Sequence, residues 1–110
     1  MIYNKLIRDR IPEIIKKDDK RAIIKKLSKD SFERELRKKL IEEAVEVRKA
    51  DNREDLVKEI ADVEEILLSL LSVKKIKRTE VVRMRNKRKK ERGGFNKRIF
   101  LKEVIAPKKQ

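Results

Sequence analysis

Two acidic pairs are the residues of this sequence best suited to chemistry. Glu43 and Glu46 form one pair, and Glu59 and Asp62 form the other, each with a spacing of three. At about 100° per residue, Glu43 falls near the middle of the apolar arc of its predicted helix, with Glu46 about 60° to one side. Glu59 lies at the edge of the next helix's arc, and Asp62 flanks it. Carboxylates placed this way must be neutralised, because an unpaired buried charge is strongly destabilising.

Such carboxylates can be neutralised in three ways: by protonation, by basic partners or by a divalent cation. Mg²⁺ and Mn²⁺ favour oxygen ligands, and carboxylate clusters inside helical bundles can build metal sites. The competing interpretation is a solvated helix face on which glutamates pair with Lys and Arg, and Glu42, Glu64 and Glu65 fit it by pointing away from the apolar stripe. The sequence has no His and no Cys, so catalysis must use carboxylates, lysines, arginines or a metal held by oxygen.

Two long amphipathic helices must position these carboxylates. In the first helix the inward positions recur at spacings of three and four, and the second helix is predicted from about Arg53 to Val73. Because the link between them is very short, we expect an antiparallel hairpin. The first helical stripe consists of Phe32, Leu36, Leu40, Glu43, Val47 and Ala50.

The ends of both helices carry capping residues. Ser28 is the favoured N-cap of the first helix, with Asp30 and Ser31 as competitors. Asp51 or Asn52 caps the second helix.

Further elements flank this hairpin. Pro12 marks the first turn of an N-terminal helix, and a third clear helix is predicted from its N-cap Thr79 to about Arg92, where Gly93 ends it. The segments 22–27 and 97–104 have the composition of strands and are interpreted as a small β-hairpin.

The predicted fold is therefore mostly α. One domain is expected over residues 1–105, followed by a frayed tail at 106–110.

Charge is distributed unevenly along the chain. The net charge is +14, and residues 74–110 alone hold 16 Lys or Arg against 3 Asp or Glu. Such a block attracts polyanions, either nucleic acid or nucleotide phosphates. No apolar run is long enough to span a bilayer, and the N-terminus is too charged for a signal peptide, so we expect a cytoplasmic protein without a membrane partner.

The acidic pattern resembles a known family signature. Glu42-Glu43-x-x-Glu46, then 12 residues, then Glu59-x-x-Asp62 is similar to the E-E-x-x-E … E-x-x-D motif of the MazG-like all-α nucleotide pyrophosphohydrolases. The segments "YNKLIRDRIPEII" and "RGGFNKRIFLKEV" further resemble a phosphoribosyl-ATP pyrophosphohydrolase-like subgroup. Together the resemblance covers most of the chain and implies a MazG-like antiparallel helical bundle.

This resemblance implies an Mg²⁺-dependent enzyme, with Mn²⁺ as a substitute. It would hydrolyse a nucleoside triphosphate to the monophosphate and pyrophosphate, with Glu42 or Glu46 orienting or deprotonating the water. The family's usual assembly implies a homodimer or higher homo-oligomer. Off-stripe apolar residues such as Ile41, Val45 and Leu68 point the same way, because a second copy would bury them. The implied metal ligands are Glu43, Glu46, Glu59 and Asp62.

Basic residues are candidates for contacts with the substrate phosphates. Arg88 and Arg92 share one face of the predicted third helix, and a guanidinium group can grip a phosphate through two hydrogen bonds. Two alternatives stay open: phosphoribosyl-ATP of histidine biosynthesis as the substrate, and a helical protein that binds nucleic acid non-specifically through residues 74–98. The full predicted substrate-binding set is Lys5, Arg8, Arg10, Arg88, Arg92 and Lys97.

Overall fold

The computed structural model describes residues 1–108, and all of its regular structure in that range is helical. The chain divides into two compact units, Met1–Arg78 and Thr79–Gln110, and each is described by itself. The prediction of a mostly α protein is confirmed. The four helices are α1 (Ile11–Lys17), α2 (Lys29–Lys49), α3 (Arg53–Val73) and α4 (Arg78–Arg92).

Helices α2 and α3 form the predicted hairpin of the first unit. The Ser28 hydroxyl accepts a hydrogen bond from the Ser31 backbone N–H at 3.2 Å and so caps α2. The Asn52 side-chain oxygen accepts from the Asp55 N–H at 2.8 Å, which makes Asn52 rather than Asp51 the cap of α3. Residues 50–52 connect the helices, so α3 must run back along α2.

The hairpin has a thin core. Within residues 1–108, Leu36 of α2 and Ile66 of α3 are the only buried apolar side chains, at 4% and 8% exposure. Leu36 belongs to the inward stripe predicted for the first helix from its periodicity. The rest of each stripe is half-buried or exposed, so much apolar surface of this unit still faces solvent.

An ion-pair cluster ties the open end of the hairpin together. The Lys74 ammonium at the end of α3 lies 3.2 Å from Glu33 Oε1 near the start of α2, and Arg37 donates to Glu33 Oε2 at 3.1 Å. The hydrogen bond from Lys74 is the main cause of a lowered pKa at Glu33. Burial opposes this lowering, and the hydrogen bond from Arg37 adds to it.

The N-terminal segment leads into the short helix α1. Pro12 lies in its first turn, as predicted, where the missing N–H removes no helical hydrogen bond. The Ile11 backbone N–H donates to the Arg8 carbonyl at 3.1 Å, which fixes the backbone just before the helix. This anchorage places the Arg8 side chain within reach of α3.

Helix α4 is the regular element of the second unit. It ends at Arg92, and Gly93 follows with φ of +82°, while its N–H donates to the Lys89 carbonyl at 2.7 Å. This confirms the predicted glycine stop. The predicted N-cap Thr79 is wrong, because α4 begins one residue earlier, at Arg78, and Thr79 lies inside its first turn.

The predicted β-hairpin is also wrong. Segments 22–27 and 97–104 contain no strand in the part of the chain that the structure describes. Strand-like composition is a local preference, whereas a strand is stable only when a neighbour pairs with its backbone. Ile23 and Phe100 are accordingly exposed rather than packed on a sheet face.

Two sequence predictions stay untested by the fold. One is the single domain over residues 1–105. The other is the frayed tail at 106–110, of which residues 109 and 110 lie outside the described residues. Among residues 1–108, no helix combines the length and the apolar character that crossing a membrane requires.

We predict that Glu33→Gln lowers the melting temperature at pH 7. The pKa of Glu33 is lowered in the folded state, so its contribution to the free energy of unfolding is present above the ordinary value of 4.5. It is lost as the pH falls through the folded-state pKa. Thermal melts followed by circular dichroism at pH 7, 5 and 3 should show the deficit of the variant shrinking toward acid.

Glu35→Gln is the matched control on the same helix, because Glu35 pairs with Lys38 of its own helix at 3.6 Å. It should change the melting temperature little at any pH. A Glu33→Gln deficit that is equally large at pH 3 and pH 7 would contradict the assigned role of the ion pair.

Candidate metal centre

Three carboxylates meet where α2 and α3 pack together. Glu43 comes from α2, and Glu59 and Asp62 come from α3, where their spacing of three puts them on one helical face. Each offers one carboxylate oxygen, and these oxygens all lie within 4.8 Å of one another. All three side chains are half-buried. The sequence-based prediction that the two acidic motifs face each other across the hairpin therefore holds for these three residues.

The position of Glu43 is electrostatically unfavourable. Its side chain is 17% exposed. Burial raises the pKa of Glu43, and the charge of Asp62 raises it further, with smaller contributions from Glu59 and Glu46. Lys39 opposes these effects. Fixed positive charge around Glu43 is thus insufficient to offset the loss of hydration and the repulsion from neighbouring carboxylates.

Lys39 is a member of the site that the sequence analysis missed. Its ammonium lies 3.6 Å from Glu42 Oε2 and 3.9 Å from Glu43 Oε1, and its side chain is largely covered. The spacings of three and four on one helix were visible in the sequence. They carried little weight there because the same spacings are common on solvated faces.

Two of the predicted N-terminal cations lie at the acidic cluster. Arg8 donates from Nη2 to Asp62 Oδ1 at 2.7 Å. Lys5 lines an open groove together with Lys39, Glu42, Glu43 and Glu46. Residues 5–8 therefore bring positive charge to acidic side chains of both helices.

The third N-terminal cation points elsewhere. Arg10 Nε lies 3.9 Å from Glu13 Oε2, and both side chains are well exposed. This is a local pair at the start of α1. A role for Arg10 in binding substrate stays a prediction.

Glu42 and Glu46 lie on the solvent side of the site. Both line the groove, and both are exposed. Glu46 is outside the group of three converging oxygens, although its charge still reaches Glu43. This position suits a residue that contacts a water or a substrate entering the groove. Its predicted role as a metal ligand stays a prediction.

The remaining predicted phosphate-binding residues belong to the second unit. Arg88 and Arg92 lie on α4, and Lys97 follows it. All three are exposed. Their contacts with substrate stay predictions.

The donor set of the cluster fits a hard divalent cation such as Mg²⁺ or Mn²⁺. It contains only carboxylate oxygens, which these ions prefer. Two oxygens on one Mg²⁺ are at most about 4.2 Å apart, twice the usual bond length of about 2.1 Å. The three oxygens lie within 4.8 Å of one another, so side-chain movements of a few tenths of an ångström would suffice at most.

Comparisons with known proteins give a family match that includes both acidic motifs. A family model for phosphoribosyl-ATP pyrophosphohydrolase matches residues 3–89, a range that contains both acidic motifs. A segment of 49 residues, 44% of this chain, is 45% identical to an uncharacterized protein of Mycolicibacterium smegmatis. That match spans 50% of the relative's length. No solved structure matches the chain.

We predict that Glu43→Gln stabilises the protein when no divalent cation is present. Because the pKa of Glu43 is raised, its ionised form opposes folding above that pKa, and this penalty disappears as the pH falls below the ordinary value of 4.5. At pH 7 in EDTA the variant should therefore have a higher melting temperature than the wild-type protein. Thermal melts at pH 7 and pH 4 would check both the sign and the pH dependence.

Glu64→Gln is the control, since Glu64 is exposed on the same hairpin and outside the cluster. It should leave the melting temperature in EDTA nearly unchanged. If Glu43→Gln instead lowered stability at pH 7, the pairing of Glu43 with Lys39 would outweigh the repulsion, and the electrostatic account of the cluster would be wrong.

Proposed function

Because the chain belongs to the phosphoribosyl-ATP pyrophosphohydrolase family, we propose that it is an Mg²⁺-dependent enzyme that hydrolyses a nucleoside triphosphate to the monophosphate and pyrophosphate. The family indicates a nucleotide pyrophosphohydrolase; the metal and the triphosphate are the proposed part. The observation that carries the proposal is the convergence of Glu43, Glu59 and Asp62 within 4.8 Å. An arrangement so costly without a cation is suited to binding one.

Each acidic residue has a distinct proposed task. Glu43, Glu59 and Asp62 hold the cation, and Glu46 completes the ligand set from the groove side. When bound, Mg²⁺ supplies positive charge that neutralises the phosphate oxygens. Glu42 or Glu46 orients the attacking water and accepts its proton. Lys39, 3.6 Å from Glu42, keeps that carboxylate at the groove wall.

Basic residues are proposed to bind the phosphates. Lys5 lines the groove, and Arg8 lies at its acidic cluster, so both can meet a polyphosphate there. Arginine suits this task because its planar fork forms two parallel hydrogen bonds with a phosphate. The remaining members of the proposed set are Arg10, Arg88, Arg92 and Lys97.

The identity of the nucleotide is a second part of the proposal. We favour canonical or damaged nucleoside triphosphates, consistent with a role in cleaning the nucleotide pool. Phosphoribosyl-ATP, the substrate of histidine biosynthesis that the family description names, is the alternative. Both substrates present the same kind of phosphoric anhydride bond. The groove has no aromatic side chain in its lining, so nothing in it favours one base.

We predict pyrophosphate release from at least one member of a nucleotide panel with Mg²⁺, and none with EDTA. The panel should contain canonical and modified triphosphates and phosphoribosyl-ATP. Glu43→Gln should lower the rate by at least about 100-fold, more than loss of an outer-shell partner usually does. Glu64→Gln should retain the rate.

The outcomes separate the competing functions. Release of orthophosphate alone would place the scission at another bond. No turnover on any nucleotide, combined with salt-sensitive binding of an oligonucleotide by residues 74–98, would favour the nucleic-acid alternative instead. That alternative accounts for the exposed cations of α4 but leaves the acidic cluster without a purpose.

A homodimer or higher homo-oligomer is the proposed assembly. Only Leu36 and Ile66 are buried among residues 1–108, which is a small core for a stable unit. Ile41 on α2 is 68% exposed, and Leu68 on α3 is exposed as well. A second copy that packs on these helices would bury apolar surface at both positions.

We predict that the wild-type protein has at least twice the monomer mass of 13.2 kDa in light scattering after size-exclusion chromatography. Ile41→Glu should shift the mass toward the monomer, because a charge at an apolar interface core is costly. The matched control is Ile23→Glu, since Ile23 is the same residue type and is exposed outside the helices. A wild-type monomer, or a mass that Ile41→Glu does not alter, would contradict this assembly.

A further inference from the structure

Arg8 contacts the acidic cluster from a distant part of the sequence. Its guanidinium donates to Asp62 Oδ1 at 2.7 Å, across a separation of 54 residues. This is the shortest ion pair among residues 1–108, and it joins the N-terminal segment to α3. Asp62 is at the same time one of the three cluster carboxylates. The contact therefore supplies a positive charge at the place where the proposed cation would bind.

Arg8 and a bound cation have conflicting requirements at Asp62. An oxygen that accepts a charge-assisted hydrogen bond at 2.7 Å directs electron density toward the guanidinium. The same carboxylate is needed as a ligand of the cation. Two positive groups bound to one carboxylate repel each other. A second cation close to the cluster, Lys39, pairs with Glu42 and Glu43 rather than with Asp62.

The Arg8 side chain is largely open to solvent, while its backbone is anchored. It is 58% exposed, against 29% for Asp62, so more than half of its surface is free of contacts. Its carbonyl accepts the Ile11 N–H at the start of α1, which anchors the main chain. Lys5, three residues earlier, lines the groove beside Glu43. A rotated guanidinium thus stays near the groove in which a polyphosphate would lie.

We propose that Arg8 is an exchangeable counter-ion: it pairs with Asp62 in the cation-free protein and transfers to a substrate phosphate when a divalent cation binds the cluster. This inference rests on the function proposed above and deepens it. The guanidinium has equivalent partners in both states, because carboxylate and phosphate both accept its two parallel N–H groups. Cation and nucleotide then promote each other's binding, since a phosphate gives the released Arg8 a new partner and such coupling is reciprocal.

The test is calorimetric titration of Mn²⁺ alone into the wild-type protein, Arg8→Gln and Arg10→Gln at fixed ionic strength. Arg8→Gln should bind Mn²⁺ about three- to tenfold more tightly, because the competing charge is gone. Arg10→Gln removes the same charge two residues away, where Arg10 pairs with Glu13, and should leave Mn²⁺ affinity within about twofold of wild type. Arg8→Lys keeps the charge but loses the fork, and its affinity should lie between those of wild type and Arg8→Gln.

Pyrophosphate release should change in the opposite direction. Arg8→Gln should have a lower kcat/KM than wild type at saturating Mn²⁺, since the phosphate loses a partner. Tighter metal binding combined with weaker catalysis is the signature that a purely structural role would not produce. Melting curves of Arg8→Gln and Arg8→Lys would establish that both variants are folded before either is titrated.

Two results would overturn the counter-ion assignment while leaving the proposed function intact. Weaker Mn²⁺ binding by Arg8→Gln would mean that Arg8 orients Asp62 for the cation instead of competing with it. Unchanged binding in Arg8→Gln and Arg8→Lys would mean that the ion pair is incidental. If the wild-type protein bound no Mn²⁺ at all, the metal-dependent function would fall, and the counter-ion inference with it.

Discussion

Repulsion among three half-buried carboxylates is the constraint around which the first unit is organised. Glu43, Glu59 and Asp62 converge at the only helix–helix interface of this unit that contains buried residues. The positively charged side chains next to them reduce that repulsion. Lys39 approaches from within α2, and Arg8 is brought in by a segment that is otherwise irregular. Residues 5–8 therefore contribute positive charge to the acidic cluster.

The same carboxylates also take up part of the small helix–helix interface. Glu43, Glu59 and Asp62 lie where α2 and α3 pack together, and Leu36 and Ile66 are the buried pair of this hairpin. Stability must come from elsewhere, through the N-caps Ser28 and Asn52 and the ion pairs of Glu33 at the open end. An unfavourable local arrangement of carboxylates can persist in this way because the surrounding structure holds it in place.

Local signals in the sequence were sufficient to predict the long helices and the three carboxylates that converge between them. The bounds of α3 and the cap Ser28 were predicted correctly, because periodicity and capping act over a few residues. Contacts between residues far apart in the sequence were harder to predict. The partner of Arg8 could not be identified, since any of the 20 acidic residues was available to it.

Errors arose where a local preference was taken for a structure. Segments 22–27 and 97–104 have β-branched or aromatic residues, but neither finds a backbone partner in the described chain. Thr79 has the chemistry of an N-cap, yet the helix starts one residue before it. Lys39 was overlooked for the opposite reason, because a useful spacing looked the same as an ordinary solvated one.

The three-residue link between α2 and α3 fixes the register of the acidic residues on one helix relative to those on the other. Asn52 is fixed by its hydrogen bond to the Asp55 N–H, so a loop of residues 50–52 has little slack to absorb a change in length. One inserted residue within α3 before Glu59 would rotate the acidic pair by about 100° and carry it away from Glu43. Insertions and deletions among natural variants should therefore be absent between Glu46 and Glu59 and collect instead in the irregular stretch 20–27, where no such alignment is at stake.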